Sequence, residues 1–219
     1  MESIQTLELT AFWQQGFFDS FQGIDGAEIR FTVFNHASID VPSLVVVPGR
    51  SESYLKYKEL AFELYLQGYS IFIIDHRGQG LSDRLIDHKN KGYVKHFQDY
   101  IADLRYFVER VVPRYSSAKP YLLAHSMGGA IATRLMQDAP EAIKAAVISS
   151  PMLGFNSGTL PEPVARLLVS SQQKLNSLVS KTPWYFFGQS DYQAINFADN
   201  RLSHCPKRYQ SFQILNVLP

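Results

Sequence analysis

The sequence predicts an α/β fold built on a mostly parallel β-sheet with helices on both faces. Short, continuous apolar runs recur between Leu44 and Ile148, as is typical of strands buried on both sides of a parallel sheet. Segments with apolar residues at helical spacing separate these runs, and strand–helix alternation favours a sheet wound with helices. The 219 residues, 46% of them hydrophobic, are enough to bury a sizeable core.

The first predicted elements are a hairpin and a buried strand. Residues Phe21–Phe34 alternate in polarity, and Asp25-Gly26 supplies the turn that a hairpin needs. Leu44–Val47 is the first continuous apolar run, and Pro48-Gly49 ends it. A strand of the parallel sheet is therefore expected to stop at Val47.

The same strand–helix unit then recurs along the chain. Its predicted members are a helix from Tyr57 to Leu64 stopping at Gly68, a strand at Ile71–Ile74, a helix from Tyr100 to Val111 closed by Pro113, a strand at Tyr121–Ala124, a helix through Ile131–Met136, and a strand at Ala145–Ile148.

The pattern changes after Pro151. No further run of the buried-strand type follows, several prolines interrupt the segment, and Val164–Val179 has the spacing of one amphipathic helix. We interpret residues 1–151 as the N-terminal part of the sheet-containing core and residues 152–219 as a cap or lid over its functional edge.

Composition excludes several classes of function. A net charge of +1, from 21 basic and 20 acidic side chains, lacks the basic surface of a nucleic-acid-binding protein. The single Cys205 permits no intrachain disulfide, which favours a reducing compartment. Residues 1–18 lack the positive start and apolar run of a secretory signal, and no stretch is long enough for a membrane span. A cytoplasmic protein is expected, with peripheral contact at the inner membrane left open by the many aromatics; no protein partner is indicated.

The sharpest chemical signal is Ala124-His125-Ser126-Met127-Gly128-Gly129, which lies between a predicted strand and a predicted helix. A serine on such a tight turn is a nucleophile elbow, with its hydroxyl held out of the sheet. The N–H of Met127 and the positive helix end would then stabilise an oxyanion, and Gly128 allows close packing. Ala124 replaces the glycine that usually begins the motif. The competing interpretation is a serine that caps an ordinary helix.

A second signal is Pro48-Gly49-Arg50, directly after the first parallel strand. In an elbow-containing sheet this loop supplies the other oxyanion-hole N–H, and Arg50 is placed to donate it. Gly49 lets the chain approach closely. Taken alone, the tripeptide also fits an ordinary proline-glycine turn.

The segment Asp75-His76-Arg77-Gly78-Gln79-Gly80-Leu81-Ser82 also follows a strand at the functional edge. We interpret Asp75 and Arg77 as residues that brace loops through paired hydrogen bonds, and we do not assign His76 to catalysis. His125 is a poor candidate base, because adjacent side chains on an elbow diverge.

Together these motifs resemble the bacterial lysophospholipases related to monoglyceride lipases. Residues Phe197–His204 and Tyr209 resemble the asparagine-leucine segment of that family's cap. The resemblance implies an α/β-hydrolase fold, a lipid ester as substrate, a serine-esterase mechanism, and no cofactor or metal. Monoacylglycerol lipase, serine peptidase of the same fold and a non-catalytic acyl-binding module are the alternatives.

The family places its triad acid and histidine after the cap. The chain is accordingly expected to stop within an incomplete cap and to lack both residues, which would leave Ser126 a weak nucleophile. The rival hypothesis pairs Asp191, in the Phe187–Asp191 loop, with His204 as base. Only thirteen positions separate these two residues, too few for the helix and strand that normally intervene.

Overall fold

The computed structural model describes residues 2–88, 90–154, 161–180, 182–185, 190–191, 193, 195–200 and 203–217. Within these residues six strands form one sheet. The strands are β1 (Phe17–Gln22), β2 (Glu28–Phe34), β3 (Ser43–Val47), β4 (Ser70–Ile74), β5 (Tyr121–His125) and β6 (Ala145–Ser149).

The main helices of the described residues lie between and after these strands. They are α1 (Glu2–Gln14), α2 (Lys58–Leu66), α3 (Phe97–Tyr106), α4 (Met127–Asp138), α5 (Glu162–Val179) and α6 (Pro206–Val217). A π-helical turn at Phe107–Val111 extends α3, and short 3-10 turns occur at Tyr54–Tyr57, Val112–Arg114, Pro140–Ala142 and Phe197–Asp199. No helix of the described ranges combines the length and apolar character that crossing a bilayer requires.

The strand order is β1-β2-β4-β3-β5-β6. Strands β4, β3, β5 and β6 run parallel, whereas the β1–β2 hairpin joins antiparallel through β2 and β4. In the registers, Val46 pairs with Ile73 and Val47 with Ala124, so β3 is central. The predicted α/β fold with a mostly parallel sheet, including its hairpin, is confirmed.

The core lies on both faces of this sheet because successive side chains of a strand point in opposite directions. Val45 and Val47 pack with Leu104 of α3 and Leu135 of α4 in one buried cluster. Val46 faces the other way, into a cluster that contains residues of α1 and α2. Full burial of each such aliphatic side chain contributes about 1.5–3 kcal/mol. The unbroken apolar run of β3 is thus explained by its two-sided burial.

Helix α1 was not predicted from the sequence. Its apolar residues do not form a clear stripe, so periodicity gives little signal. Packing stabilises it instead: Phe12 is buried and its ring stacks on that of Phe34, with 4.4 Å between the centroids. Trp13 also contacts the Phe34 ring. Tertiary contacts of this kind commonly decide whether a short helix forms.

The described residues after Ser149 include no strand. Helix α5 begins two residues before the predicted Val164 and ends at the predicted Val179. The ammonium of Lys91 donates to the Pro183 carbonyl oxygen over 3.0 Å, which ties the later segment to the core. Phe187–Gln189, Arg201, Leu202 and Pro219, which the sequence analysis invoked, lie outside the described residues. The boundary at residue 152 stays a prediction.

Candidate active site

Ser126 occupies the sharp turn between β5 and α4. Its φ of 51° and ψ of −117° are strained for a residue with a side chain, at a cost of about 1–3 kcal/mol. Two backbone bonds hold the turn: Ser126 N–H donates to Ser149 O over 3.0 Å, and Met152 N–H donates to Ser126 O over 2.9 Å. The serine therefore lies between a parallel strand and a helix, where the sequence placed it.

The Ser126 side chain is partly exposed, and within the described stretches its hydroxyl has no hydrogen-bond partner. Met127 is buried and is the first residue of α4. Its N–H is the first of the helix and has no intrahelical acceptor. The positive end of the helix therefore points to the turn that carries the hydroxyl.

Gly128 packs α4 against the end of β3. A Cβ at this position would lie under 3.0 Å from the carbonyl oxygens of both Val47 and Pro48, and 2.8 Å from the Val47 carbonyl carbon. Real Cβ atoms do not approach so closely. The absence of a side chain thus lets the elbow and the β3 loop share one edge of the sheet.

The loop after β3 lies directly against the elbow. A Cβ on Gly49 would be 3.2 Å from Ser126 Cβ and 3.0 Å from His125 Nδ1. Gly49 is buried, whereas the next residue, Arg50, is exposed. The structure therefore brings Gly49, Arg50, Ser126, Met127 and Gly128 to the same carboxyl edge of the parallel strands.

Glu52 is a buried carboxylate beside this loop, and the sequence analysis assigned it no role. Its side chain is only 7% exposed. It accepts the Gly49 N–H over 2.6 Å and the Tyr57 hydroxyl over 2.5 Å, and it pairs with the Lys56 ammonium. Burial opposes ionisation, but the bonds from Lys56 and Tyr57 hold the pKa of the Glu52 carboxyl below its ordinary 4.5. His125 Nδ1 lies 3.3 Å from the same carboxylate.

The side chain of Gln79 also bonds the loop after β3. Its side-chain Nε2 donates to Gly49 O over 2.8 Å, and its Oε1 accepts the Ser51 N–H over 3.1 Å. The residue is 5% exposed. Its neighbours in sequence gave no signal of this contact, because the two loops are about thirty positions apart.

Asp75 and His76 have the bracing roles that the sequence analysis proposed for this segment. Asp75 accepts the backbone N–H of Tyr54 over 2.5 Å and of Leu81 over 2.7 Å. Burial raises the pKa of the Asp75 carboxyl to about 7 despite these donors. His76 is fully buried and its Nε2 lies 3.1 Å from Pro48 O. Burial lowers the pKa of the His76 ring to about 4, so the ring is neutral and donates to that carbonyl.

Arg77 is fully buried. Its guanidinium forms a two-pronged contact with Asp103, at 2.6 and 2.8 Å, and a third bond of 3.0 Å with Asp25. Charge-assisted bonds of this geometry fix loops firmly. Arg77 therefore braces the structure, as expected, rather than facing the elbow.

Asp191 and His204 do not bond each other in the described residues. Asp191 Oδ1 accepts the Tyr185 hydroxyl over 2.5 Å and lies 3.7 Å from His88 Nε2. His204 is exposed, and in the described part of the chain it bonds neither Asp191 nor Ser126. Of the histidines nearest the elbow, His76 faces Pro48 and His125 faces Glu52, so neither bonds the serine hydroxyl in these residues.

Helix α5, the amphipathic helix of the predicted cap, exposes a row of aliphatic side chains. Each is more than 40% exposed. The residues are Val164, Leu167, Leu168, Leu175 and Leu178. In the described residues they form an open apolar surface rather than the wall of a closed cavity.

Comparisons with known proteins agree with this geometry. Residues 41–212 match the family described as Hydrolase_4, serine aminopeptidase S33. Lysophospholipase L2 of Escherichia coli strain K12 is 38% identical over 202 residues, which cover 92% of this chain and 58% of that protein. The probable lysophospholipase L2 of Haemophilus influenzae strain Rd is 35% identical, covering 79% of this chain and 53% of that one.

Among solved structures, a thermostable carboxyl esterase from Bacillus coagulans superimposes with a TM-score of 0.61 at 18% identity. The match covers 77% of this chain and 53% of the esterase, and it concerns the fold alone. In all three comparisons the chain spans little more than half of the other protein's length.

Proposed function

Because this chain belongs to the serine aminopeptidase S33 family of α/β-hydrolases, we propose that the whole protein cleaves carboxylic esters of lipids with Ser126 as nucleophile. The chain is a lysophospholipase-like hydrolase, and lysophospholipids are the proposed substrates. One observation carries the choice of nucleophile: Ser126 is held at positive φ between β5 and α4, against Gly49.

In the proposed reaction, Ser126 Oγ attacks the ester carbonyl carbon while a histidine removes the hydroxyl proton. The carbonyl oxygen becomes negatively charged and accepts the N–H groups of Met127 and Arg50. The histidine then gives its proton to the departing glycerol oxygen, and an acyl group remains on Ser126. Water attacks this acyl-enzyme and releases the fatty acid. Each oxyanion donor contributes on the order of 10²–10³ to the rate.

The base and the acid that orients it form a separate part of the proposal. The chain spans 58% of the Escherichia coli relative. We propose that the histidine and the acid lie in the part of the whole protein that corresponds to the rest of that relative, because in the described residues no bond joins His204 to Asp191 or to Ser126. Asp191 is engaged by Tyr185 and His88 instead.

The exposed aliphatic row on α5 supports a lipid substrate, because an acyl chain needs an apolar surface. Packing of this row against another protein segment is the alternative explanation. Replacement of Leu167 by Gln would separate the two. Weaker binding of long-chain esters with unchanged short-chain hydrolysis supports the acyl contact, and loss of stability supports packing.

The direct test is hydrolysis by the protein expressed at the full length of its reading frame. Palmitoyl lysophosphatidylcholine, monopalmitoylglycerol and alanine p-nitroanilide represent the lysophospholipase, monoglyceride lipase and aminopeptidase reactions. Release of fatty acid from the lysophospholipid, abolished by Ser126→Ala without a change in unfolding temperature, is expected. Cleavage of the anilide alone would instead establish the second candidate, the aminopeptidase named by the family description.

A second measurement locates the base. Fluorophosphonate labelling of Ser126 is followed in the full-length protein and in the 219-residue chain. Labelling that is at least 100-fold slower in the shorter chain is expected, since a triad serine depends on its histidine. Equal labelling of both, lost on His204→Ala, would establish the Asp191–His204 pair instead.

A further inference from the structure

The Gln79 amide is the feature that ties two loops together at the elbow. Its two polar atoms bond backbone groups of opposite kinds, Gly49 O and Ser51 N–H. A carbonyl can only accept and an N–H can only donate, so the orientation of the amide is fixed by its partners. Gln79 thus binds both sides of the intervening residue, Arg50.

The bond to Gly49 O has a consequence for the Arg50 N–H. The described peptide bonds include no cis bond, so the Gly49–Arg50 peptide is trans and planar. In a trans peptide the C=O and the following N–H point in opposite directions. By holding Gly49 O at 2.8 Å, Gln79 therefore fixes the Arg50 N–H to point away from itself.

This loop conformation needs such support. Ser51 has a φ of 58°, an unfavourable value for a residue with a side chain, and Gln79 accepts its N–H. On the other side, Glu52 accepts the Gly49 N–H over 2.6 Å. The peptide before Arg50 is thus held through its carbonyl by Gln79, and the peptide before that through its N–H by Glu52.

The loop that carries Gln79 is itself held in place by a backbone bond and by close packing. The N–H of Gln79 donates to His76 O over 3.2 Å, and the following Gly80 packs directly on Asp75. A Cβ on Gly80 would lie under 3.0 Å from the Asp75 carboxylate oxygens. The loop therefore has little room to move, and the amide is presented to Gly49 from a fixed position.

We propose that Gln79 is a positioning residue, which aims the Arg50 N–H at the oxyanion by clamping the Gly49–Arg50 peptide. The proposal rests on the ester hydrolysis proposed above. Gln79 does not touch substrate; it acts through the direction of one backbone donor. Its loss should therefore weaken transition-state stabilisation much more than substrate binding.

The first test is Gln79→Met in the full-length protein, assayed with p-nitrophenyl butyrate. Methionine keeps the length of the side chain and removes both polar contacts. A fall in kcat of about 10- to 100-fold with KM changed less than twofold is expected, since a misplaced group costs up to about 10²-fold. Ser82→Ala is the matched control: it removes two bonds of the same loop, the 2.7 Å bond to Asp75 O and the 2.8 Å bond from Arg30 N–H, without touching residues 49–52. It should leave kcat within twofold of wild type.

A second variant keeps the proposal testable if Gln79→Met does not fold. In Gln79→Glu, an ionised carboxylate would repel Gly49 O, whereas a protonated carboxyl can donate to it as the amide does. The ratio of variant to wild-type kcat should therefore rise at least fivefold as pH is lowered from 8 to 5.5. A merely structural role predicts a ratio that does not rise with acid.

The outcomes separate the two proposals. No ester hydrolysis by wild type, or undiminished hydrolysis by Ser126→Ala, would overturn the proposed function itself. Ser126-dependent hydrolysis with near-wild-type kcat in Gln79→Met, or a flat pH ratio in Gln79→Glu, would overturn only the role of Gln79. A rise in KM with kcat unchanged would likewise overturn it.

Discussion

Replacement of Gly128 by alanine adds a single methyl group at the tightest contact of the elbow. Gly128 is the second residue of α4, and its Cα faces the carbonyl groups that end β3. The built Cβ lies under 3.0 Å from Val47 O and Pro48 O. Both acceptors belong to the backbone, and Val47 is locked in register with Ala124, so neither can rotate away as a side chain would.

Two opposing effects set the size of the change. Alanine favours a helix over glycine by up to about 1 kcal/mol. Relief of the clash requires α4 and β3 to separate, and such overpacking costs about 1–3 kcal/mol, occasionally more. The clash should win because two fixed oxygens are met at once. We expect a net loss of about 1–3 kcal/mol in the free energy of unfolding.

The same separation moves Ser126 relative to Gly49. A displacement of about 1 Å between reacting groups can cost on the order of 10²-fold in rate. The kcat of the full-length Gly128→Ala protein should therefore fall. The fall should be larger than the small fraction of unfolded molecules can account for. Urea unfolding and kcat for p-nitrophenyl butyrate measure the two effects separately.

Two other glycines provide graded controls. A Cβ on Gly129 would meet Ile148 Cγ2 at 2.8 Å, Pro151 Cβ at 2.9 Å and Pro151 Cα at 3.0 Å. These contacts are longer than those with the two carbonyl oxygens at Gly128, so Gly129→Ala should be less harmful. A Cβ on Gly92 would come no closer than 3.8 Å to Gly78 O, and Gly92→Ala should be neutral. Wild-type stability and kcat in Gly128→Ala would refute the close-packing argument, as would equal losses in all three variants.

Three further predictions concern two buried charged or titratable groups and one exposed ion pair. Arg77→Met should lower the free energy of unfolding by about 3–5 kcal/mol in urea titrations, because it leaves Asp103 buried without its partner; a loss below about 1 kcal/mol would contradict this. Arg208→Ala removes an ion pair with Glu59 whose side chains are 65% and 46% exposed, so the same titration should change by less than about 1 kcal/mol. His76 has a folded-state pKa of about 4 against an ordinary 6.5. Between these two pH values the unfolded chain therefore binds a proton at His76 that the folded chain does not bind. The stabilisation that the folded state has from a neutral His76 ring is fully present above pH 6.5 and is lost as pH falls towards 4. It amounts to at most about 3–4 kcal/mol. His76→Gln should flatten that part of the stability profile, and an unchanged pH slope would show that His76 does not titrate in this way.

Strands β2 to β6 and the position of Ser126 were predictable from the sequence, whereas β1 begins at Phe17, four residues before the predicted hairpin. Strands β3 and β4 are continuous apolar runs because both of their faces are buried, and burial on two sides leaves a signal within the strand itself. The elbow is equally local: a strand, a serine and two glycines within a few residues. Its small residues reflect close packing, which the contacts of Gly128 bear out.

The tertiary structure alone decided α1 and the support of the loop after β3. Helix α1 depends on Phe12 packing against Phe34. This contact cannot be predicted from the spacing of apolar residues within the helix, because Phe34 belongs to β2. Gln79 and Glu52 both bond Gly49, and Gln79 does so from thirty positions away.

That contact exists because β3 and β4 are parallel neighbours, so the loops at their carboxyl ends meet at one edge. Burial likewise gives His76 a neutral ring, a property of its surroundings rather than of the motif that contains it. Strands, helices and turns can be predicted from periodicity and turn residues, because these are local properties of the sequence. Desolvation and hydrogen bonding at this edge of the sheet arise only when distant loops are brought together.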